Sequence, residues 1–254
     1  MSEASFIASS QEEKATVVSR KVSVDSVSDI APLLDSARIL LDLAPQFGEL
    51  RWINFGGGIG VPYRPGDTEF PIDDYGRELA GFADPLLRAR NLTAILEPGR
   101  YIVASSGLLL SRVTTKRVSG GADWIGCDTG FNHLARPSKY GAYHHIINAS
   151  SGSQASLREH YEAEQMQEEL VVSGNICESG DVFTRTAGGA VMPRPMEKTQ
   201  VGDLIAFCDA GAYGYSMASH YNARLMPPEV LVRGGEARLI RRRQTFEELL
   251  GGME

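Results

Sequence analysis

Cys177-Glu178-Ser179-Gly180-Asp181 places a thiol beside carboxylates in a glycine-containing turn, a pairing in which sulfur transfers a proton and an acid binds an amine. Taken alone it reads equally well as a buried cysteine at a polar turn. Glu97-Pro98-Gly99-Arg100 holds opposite charges across a rigid turn, where a carboxylate could meet a protonated ring nitrogen; by itself it reads first as a structural salt bridge. Gly56-Gly57-Gly58-Ile59-Gly60 lets main-chain N–H groups approach a phosphate without Cβ atoms in the way. Its spacing is not the dinucleotide fingerprint, and such a run is more often only a tight turn. Arg136-Pro137-Ser138-Lys139-Tyr140 offers a guanidinium fork and a phenol for a carboxylate ligand, or else a surface loop. Asp209 to Gly214 ends a strand with small residues and the Tyr213 hydroxyl, which reaches a phosphate or caps the core.

The elements needed to position these groups change character along the chain. Residues 1 to 24 are polar without sustained periodicity. Ser28 stands as an N-cap before a helical stripe of Ile30, Leu33, Leu34, Ala37, Leu40 and Leu41 that stops near Gly48. Arg51 to Phe55 is β-prone and runs into the glycines. A second helix follows from about Asp73, with Tyr75, Leu79, Phe82, Leu86 and Leu87 on one face, and Leu92 to Leu96 has the pattern of a buried strand ending at Glu97. This is α/β alternation with polar groups at strand ends, where such folds place their sites. Beyond Gly107 come short β-prone runs at 108–113, 124–127, 144–147, 170–172, 204–207 and 230–232, the texture of an all-β domain. The polar stretch 150–169 is a surface loop or a short helix.

Composition narrows the classes. The 254 residues are 43% apolar with net charge −7, without a basic stripe, so nucleic acid is not an expected partner. No apolar run approaches the roughly 20 residues of a membrane span, and residues 1–22 lack a secretory signal. A soluble protein of the cytoplasm, or of a plastid for a plant or algal source, is expected. Cys127, Cys177 and Cys208 have no metal spacing, and His144-His145 in a β-prone run would point to opposite faces, so no metal site is expected. Arg241-Arg242-Arg243 reads as a solvated strand end.

In this order, the glycine run, Glu97 to Arg100, Asp128 to Asn132, Arg136 to Tyr140, Cys177 to Asp181, Gly211 to Tyr213, Ala218 to Arg224 and Arg241 to Leu250 resemble the diaminopimelate decarboxylase family of alanine-racemase-like, fold type III decarboxylases. The resemblance covers about residues 23–254 and corresponds to the family's C-terminal portion. It implies an α/β plus all-β chain: a partial (β/α) TIM-type barrel that binds pyridoxal 5′-phosphate over residues 23–110, then a β-barrel or sandwich domain over 111–254, with 1–22 a poorly determined segment. Implied cofactor contacts are Gly57, Gly58, Gly99, Arg100 and Tyr213 at the phosphate and Glu97 at the pyridine nitrogen. Implied substrate contacts are Arg100, Arg136, Tyr140, Glu178 and Tyr213, with Cys177 of the partner subunit as proton donor in a homodimer with shared sites. The implied reaction converts meso-diaminopimelate to L-lysine, the last step of lysine biosynthesis. Alternatives are a non-catalytic partner subunit and an arginine, ornithine or carboxynorspermidine decarboxylase.

The chain departs from the family in three respects, the first being that the family's early histidine, which stacks on the cofactor ring, has no counterpart here. None of Lys14, Lys21, Lys116, Lys139 and Lys198 follows a buried strand in the setting of the family's Schiff-base lysine. The α/β part is also shorter than the roughly 200 residues of a complete barrel. The expected partner is a second copy in a homodimer with shared active sites, or a complementing N-terminal half.

Overall fold

The computed structural model describes residues 6–9, 16–20, 29–151 and 167–253. The chain divides into two compact units, 1–62 with 66–103 and 63–65 with 104–254. Ser28, Lys14 and Lys21 lie outside the described residues.

The first unit contains β1 (Phe6–Ser9), β2 (Thr16–Arg20), α1 (Ala31–Leu43), β3 (Leu50–Asn54), α2 (Ile72–Ala89), β4 (Thr93–Ile95) and α3 (Gly99–Val103). Its sheet has the order β1-β2-β3-β4; β1 and β2 are antiparallel, and β2, β3 and β4 run parallel. Two strand-helix-strand crossovers therefore follow one another, and the alternation predicts the second of them, β3-α2-β4. Strands β1 and β2 fall in residues where no periodicity was expected. Helix α1 forms because Leu33, Leu34, Ala37, Leu40 and Leu41 recur on one face and are buried there, and Asp29 Oδ1 accepts from the Ala31 N–H at 3.0 Å. Arg90, just beyond α2, donates to the carbonyls of Ala44 (2.5 Å) and Phe47 (2.6 Å) in the turn that follows α1, where the Ala44 carbonyl also accepts from the Phe47 N–H at 3.2 Å. Helix α2 buries Tyr75, Leu79, Ala83 and Leu87 in the same core as Ile53 and Phe55. The expected buried strand at 92–96 is corrected: Leu92 is buried, but Thr93 and Ala94 are exposed and Leu96 is 43% exposed. The reason is position, since β4 is the edge of this sheet.

The second unit is built on a six-stranded sheet of β5 (Leu109–Ser119), β6 (Ala122–Cys127), β7 (Ile146–Asn148), β8 (Gln167–Ser173), β9 (Arg194–Glu197) and β10 (Leu204–Phe207), with the one-turn helix α4 (Arg136–Tyr140) between β6 and β7. The order is β7-β10-β5-β6-β8-β9, and its end strands β7 and β9 approach each other, so the sheet curls into a nearly closed barrel. Val113, Ile125, Leu170, Val172, Phe183, Ile205 and Phe207 fill it, with the Phe183 and Phe207 rings 4.5 Å apart. Strand β5 runs to Ser119, past the expected end, because Gly120 (φ 59°) and Gly121 (φ 79°) form the two-residue hairpin turn that needs left-handed backbone at both positions. A separate hairpin of β11 (Glu229–Arg233) and β12 (Glu236–Arg241) leads to α5 (Phe246–Leu250), started by a capping box of Thr245 and Glu248. Strand β9 and helix α5 were not expected from sequence, whereas the exposed β12 ends at Arg241, the start of the basic run read as a solvated strand end. The two histidines are also corrected: they precede β7 instead of lying in it, and both are buried.

Candidate functional site

In the first unit the parallel strands β3 and β4 end side by side, and their ends are tied through one asparagine. Asn54 Oδ1 accepts from the Gly56 N–H at 2.8 Å, and Asn54 Nδ2 donates to Glu97 Oε1 at 2.5 Å. The Glu97 N–H donates to the Gly56 carbonyl at 2.8 Å. An exposed carboxylate is thus held in one direction beside a loop with no side chains. Gly57 is required by space: a Cβ there would lie 2.2 Å from the Glu97 carbonyl oxygen. Gly56 (φ 77°) and Gly58 (φ 88°) are required by backbone conformation. Arg100 is half-buried in the first turn of α3, next to Gly99, whose N–H donates to the Glu97 carbonyl at 2.9 Å. We expect Gly57→Ala to cost about 1–3 kcal/mol through displacement of the Glu97 backbone, read as a lower urea midpoint at unchanged slope.

In the second unit the thiol-carboxylate turn is built on Asp181. This side chain is 3% exposed and accepts from the N–H groups of Phe131 and Ile176, both at 2.7 Å. Gly174 and Gly130 make room for it, since a Cβ at Gly174 would meet Asp181 Oδ2 at 2.2 Å and one at Gly130 would meet it at 2.9 Å. Burial pushes the Asp181 carboxyl above its ordinary range, against the lowering effect of the two N–H bonds. So anchored, the turn presents Cys177 and Glu178 to solvent. The segment 219–224 packs over them. Asn222 Nδ2 donates to Cys177 Sγ at 3.2 Å, and the Tyr221 hydroxyl donates to Glu178 Oε2 at 2.6 Å. That acceptor holds the Tyr221 proton on and raises its pKa. The Tyr221 ring lies against Phe131, centroids 4.9 Å apart, and Asn222 and Ala223 both have left-handed φ, 56° and 55°. Arg224 Nη2 donates to the Asn175 carbonyl at 2.8 Å, and Ser138 of α4 donates to the Gly180 carbonyl at 2.8 Å.

Arg136 is 6% exposed. Its Nη1 donates to His144 Nε2 at 2.8 Å, and its guanidinium stacks 4.7 Å from the Tyr63 ring. Because arginine only donates, His144 must carry its proton on Nδ1, which donates to the Cys208 carbonyl at 2.8 Å. Tyr140 is exposed at the end of α4, which Gly141 closes with φ 61°. Tyr213 is 43% exposed with φ 60°. Its loop is seated by close backbone contact, a Cβ at Gly107 falling 2.6 Å from Gly211 Cα. Bonds therefore join Cys177 and Glu178 to Tyr221 and Asn222, while Arg136, Tyr140 and Tyr213 stand on α4 and on the loop after β10.

Two histidines of this unit set a pH dependence. Burial is the main cause that lowers the pKa of His133 and of His145; the charges of Arg243 and Arg224 add to it at the first, and that of Arg194 at the second. The folded state thus favours their neutral forms. Their stabilising contribution is full above the ordinary value of 6.5 and is lost as pH falls through the lowered values. We expect the melting temperature to fall between about pH 7 and about pH 5, and His145→Gln to flatten that fall.

A model of the pyridoxal-dependent decarboxylase C-terminal sheet domain matches residues 15–211. The chain belongs to this family. The diaminopimelate decarboxylase of Streptomyces coelicolor is 43% identical over 211 residues, 80% of this chain and 45% of that protein. A crystal structure of diaminopimelate decarboxylase superposes with TM-score 0.80 at 38% identity, covering 89% of this chain and 53% of the other. The M. jannaschii diaminopimelate decarboxylase in complex with L-lysine gives TM-score 0.70 at 33% identity, covering 90% and 50%. The chain spans about half the length of the curated relatives it matches. Its nearly closed sheet is the C-terminal sheet domain of these decarboxylases.

The residues at the ends of β3 and β4 fit the family's cofactor chemically. An amide-held carboxylate suits a protonated pyridine nitrogen, and a side-chain-free loop suits a phosphate. Sequence reasoning gave no roles to Asn54, Tyr221 or Asn222. Their only local signal is that asparagine tolerates the left-handed backbone seen at Asn222. Among the described residues no helix is long and apolar enough to cross a membrane, and no His/Cys/Asp/Glu cluster is arranged to hold a metal.

Proposed function

We propose that this chain serves the pyridoxal-phosphate-dependent decarboxylation of meso-diaminopimelate to L-lysine, its first unit forming part of a (β/α) barrel and its second the sheet domain. The supporting observation is the exposed pair of Cys177 and Glu178, each oriented by a separate hydrogen bond, from Asn222 and Tyr221. Pyridoxal phosphate, when bound, supplies the electron sink that lets the α-carboxylate leave as carbon dioxide. Glu97 keeps the ring nitrogen protonated, and Gly57, Gly58, Gly99, Arg100 and Tyr213 hold the phosphate. Arg100, Arg136, Tyr140 and Tyr213 take the distal carboxylate through charge-assisted bonds, and Glu178 takes the distal amine. The Cys177 thiol delivers its proton to the substrate's α-carbon. The assembly is a homodimer in which Cys177 and Glu178 serve the partner's site. The parallel order of β2, β3 and β4 with intervening helices supports the barrel reading.

The test is lysine and carbon dioxide formation by the protein carrying this chain, supplied with pyridoxal phosphate. Turnover of meso-diaminopimelate, with arginine, ornithine and carboxynorspermidine roughly 100-fold poorer in kcat/KM, is expected. Cofactor binding without turnover, or preference for one of the other three, would overturn the proposal.

A further inference from the structure

Away from the residues assigned above, the second unit has a pocket of about 360 Å³ between the segment before β7 and strand β9. Its walls are largely apolar, from Pro65, Ile146, Met192, Pro193, Pro195 and Met196. Its polar groups are cationic or neutral: Arg64, Arg194, Tyr143 and His145, with no Asp or Glu among the lining residues. Both guanidiniums stack on one ring, Arg64 at 4.3 Å and Arg194 at 4.1 Å from the Tyr143 centroid. Arg194 is 6% exposed, its Nη1 donates to the His144 carbonyl at 3.0 Å, and its Nε–H has no partner among the described residues.

A buried guanidinium with an unused Nε–H is costly, and a second cation on the same ring adds repulsion. Burial, with the Arg64 charge as a lesser cause, lowers the Arg194 pKa. With Nη1 committed, the Nε side of the fork remains, the face on which arginine binds a carboxylate through two parallel bonds. We propose that this pocket binds a small organic carboxylate, its oxygens on the Nε side of Arg194 and its apolar body against the prolines and Met192. The pocket volume fits a molecule of metabolite size. The proposal does not rest on the decarboxylase reading, and its failure would leave that reading untouched.

The test is titration of the whole chain with benzoate, and separately with inorganic phosphate, following the Arg194 Nε–H resonance by NMR. A saturable shift with benzoate, weakened roughly tenfold or more in Met192→Glu, is expected. Met192 is exposed, and its N–H bond to the Thr184 carbonyl survives the change, so this variant keeps the fold. Arg194→Lys, which removes the fork and keeps the charge, is expected to lose the heat of benzoate binding that calorimetry reads in the parent. No saturable shift, an unchanged affinity in Met192→Glu, or binding of phosphate alone would overturn the assignment.

Discussion

Cys177→Ala is expected to lower decarboxylation turnover of the protein carrying this chain by roughly 10²–10⁴-fold, the usual contribution of a positioned proton donor. The substitution leaves no buried cavity because Cys177 is exposed, so the melting temperature and cofactor absorbance should stay within error of the parent. Asn222→Gly removes the 3.2 Å bond that aims the thiol, keeps a residue suited to the left-handed φ of 56°, and should give a smaller loss in kcat with little change in KM. A Cys177→Ala protein that retains parental turnover would remove Cys177 from the mechanism. Alkylation offers an independent check. Cys127 is buried with its thiol pushed up to about 12, and Cys208 is buried too, so iodoacetamide should modify Cys177 alone in the folded protein.

Asp181→Ala is expected to destabilise the second unit by about 2–5 kcal/mol, since it strands two buried N–H donors at about 1–3 kcal/mol each. Those donors belong to Phe131 and Ile176, which carry the Tyr221 ring and the turn before Cys177, so urea sensitivity and loss of turnover should appear together. Asp181→Asn keeps the shape but only one acceptor, and should cost about half as much. The pH dependence has a definite sign. Because the folded-state pKa is raised, the protonated form favours folding. The Asp181 contribution is therefore greatest below the ordinary value of 3.8 and declines as pH rises through the raised value, opposite in sense to the two histidines. An Asp181→Ala variant with an unchanged urea midpoint would show that the turn is held by other contacts.

Periodicity alone was enough for α1 and α2, because an apolar stripe at helical spacing can be buried in few other ways. Residue types sufficed to single out Gly57, Glu97 and the Cys177 turn, since a missing Cβ, a fixed charge and a thiol are intrinsic to the residue. Whether each was chemistry or architecture was not readable locally. Glu97 depends on Asn54, 43 residues away, and that meeting exists only because β3 and β4 lie in parallel register. Tyr221 reaches Glu178 across 43 residues and Asn222 reaches Cys177 across 45, through a segment with no helical or strand period to announce it. Burial followed the same division. The run at 92–96 is apolar enough for an interior strand, yet its exposure was decided by its place at the sheet edge, and His144 and His145 are buried by the close of β7 against β10. The amino-acid sequence by itself determined which groups are able to hold a phosphate, a ring nitrogen or a proton. Tertiary structure alone decided which of them are aimed, because hydrogen-bond partners distant in the chain are chosen by sheet register and loop closure, on which residue identity is silent.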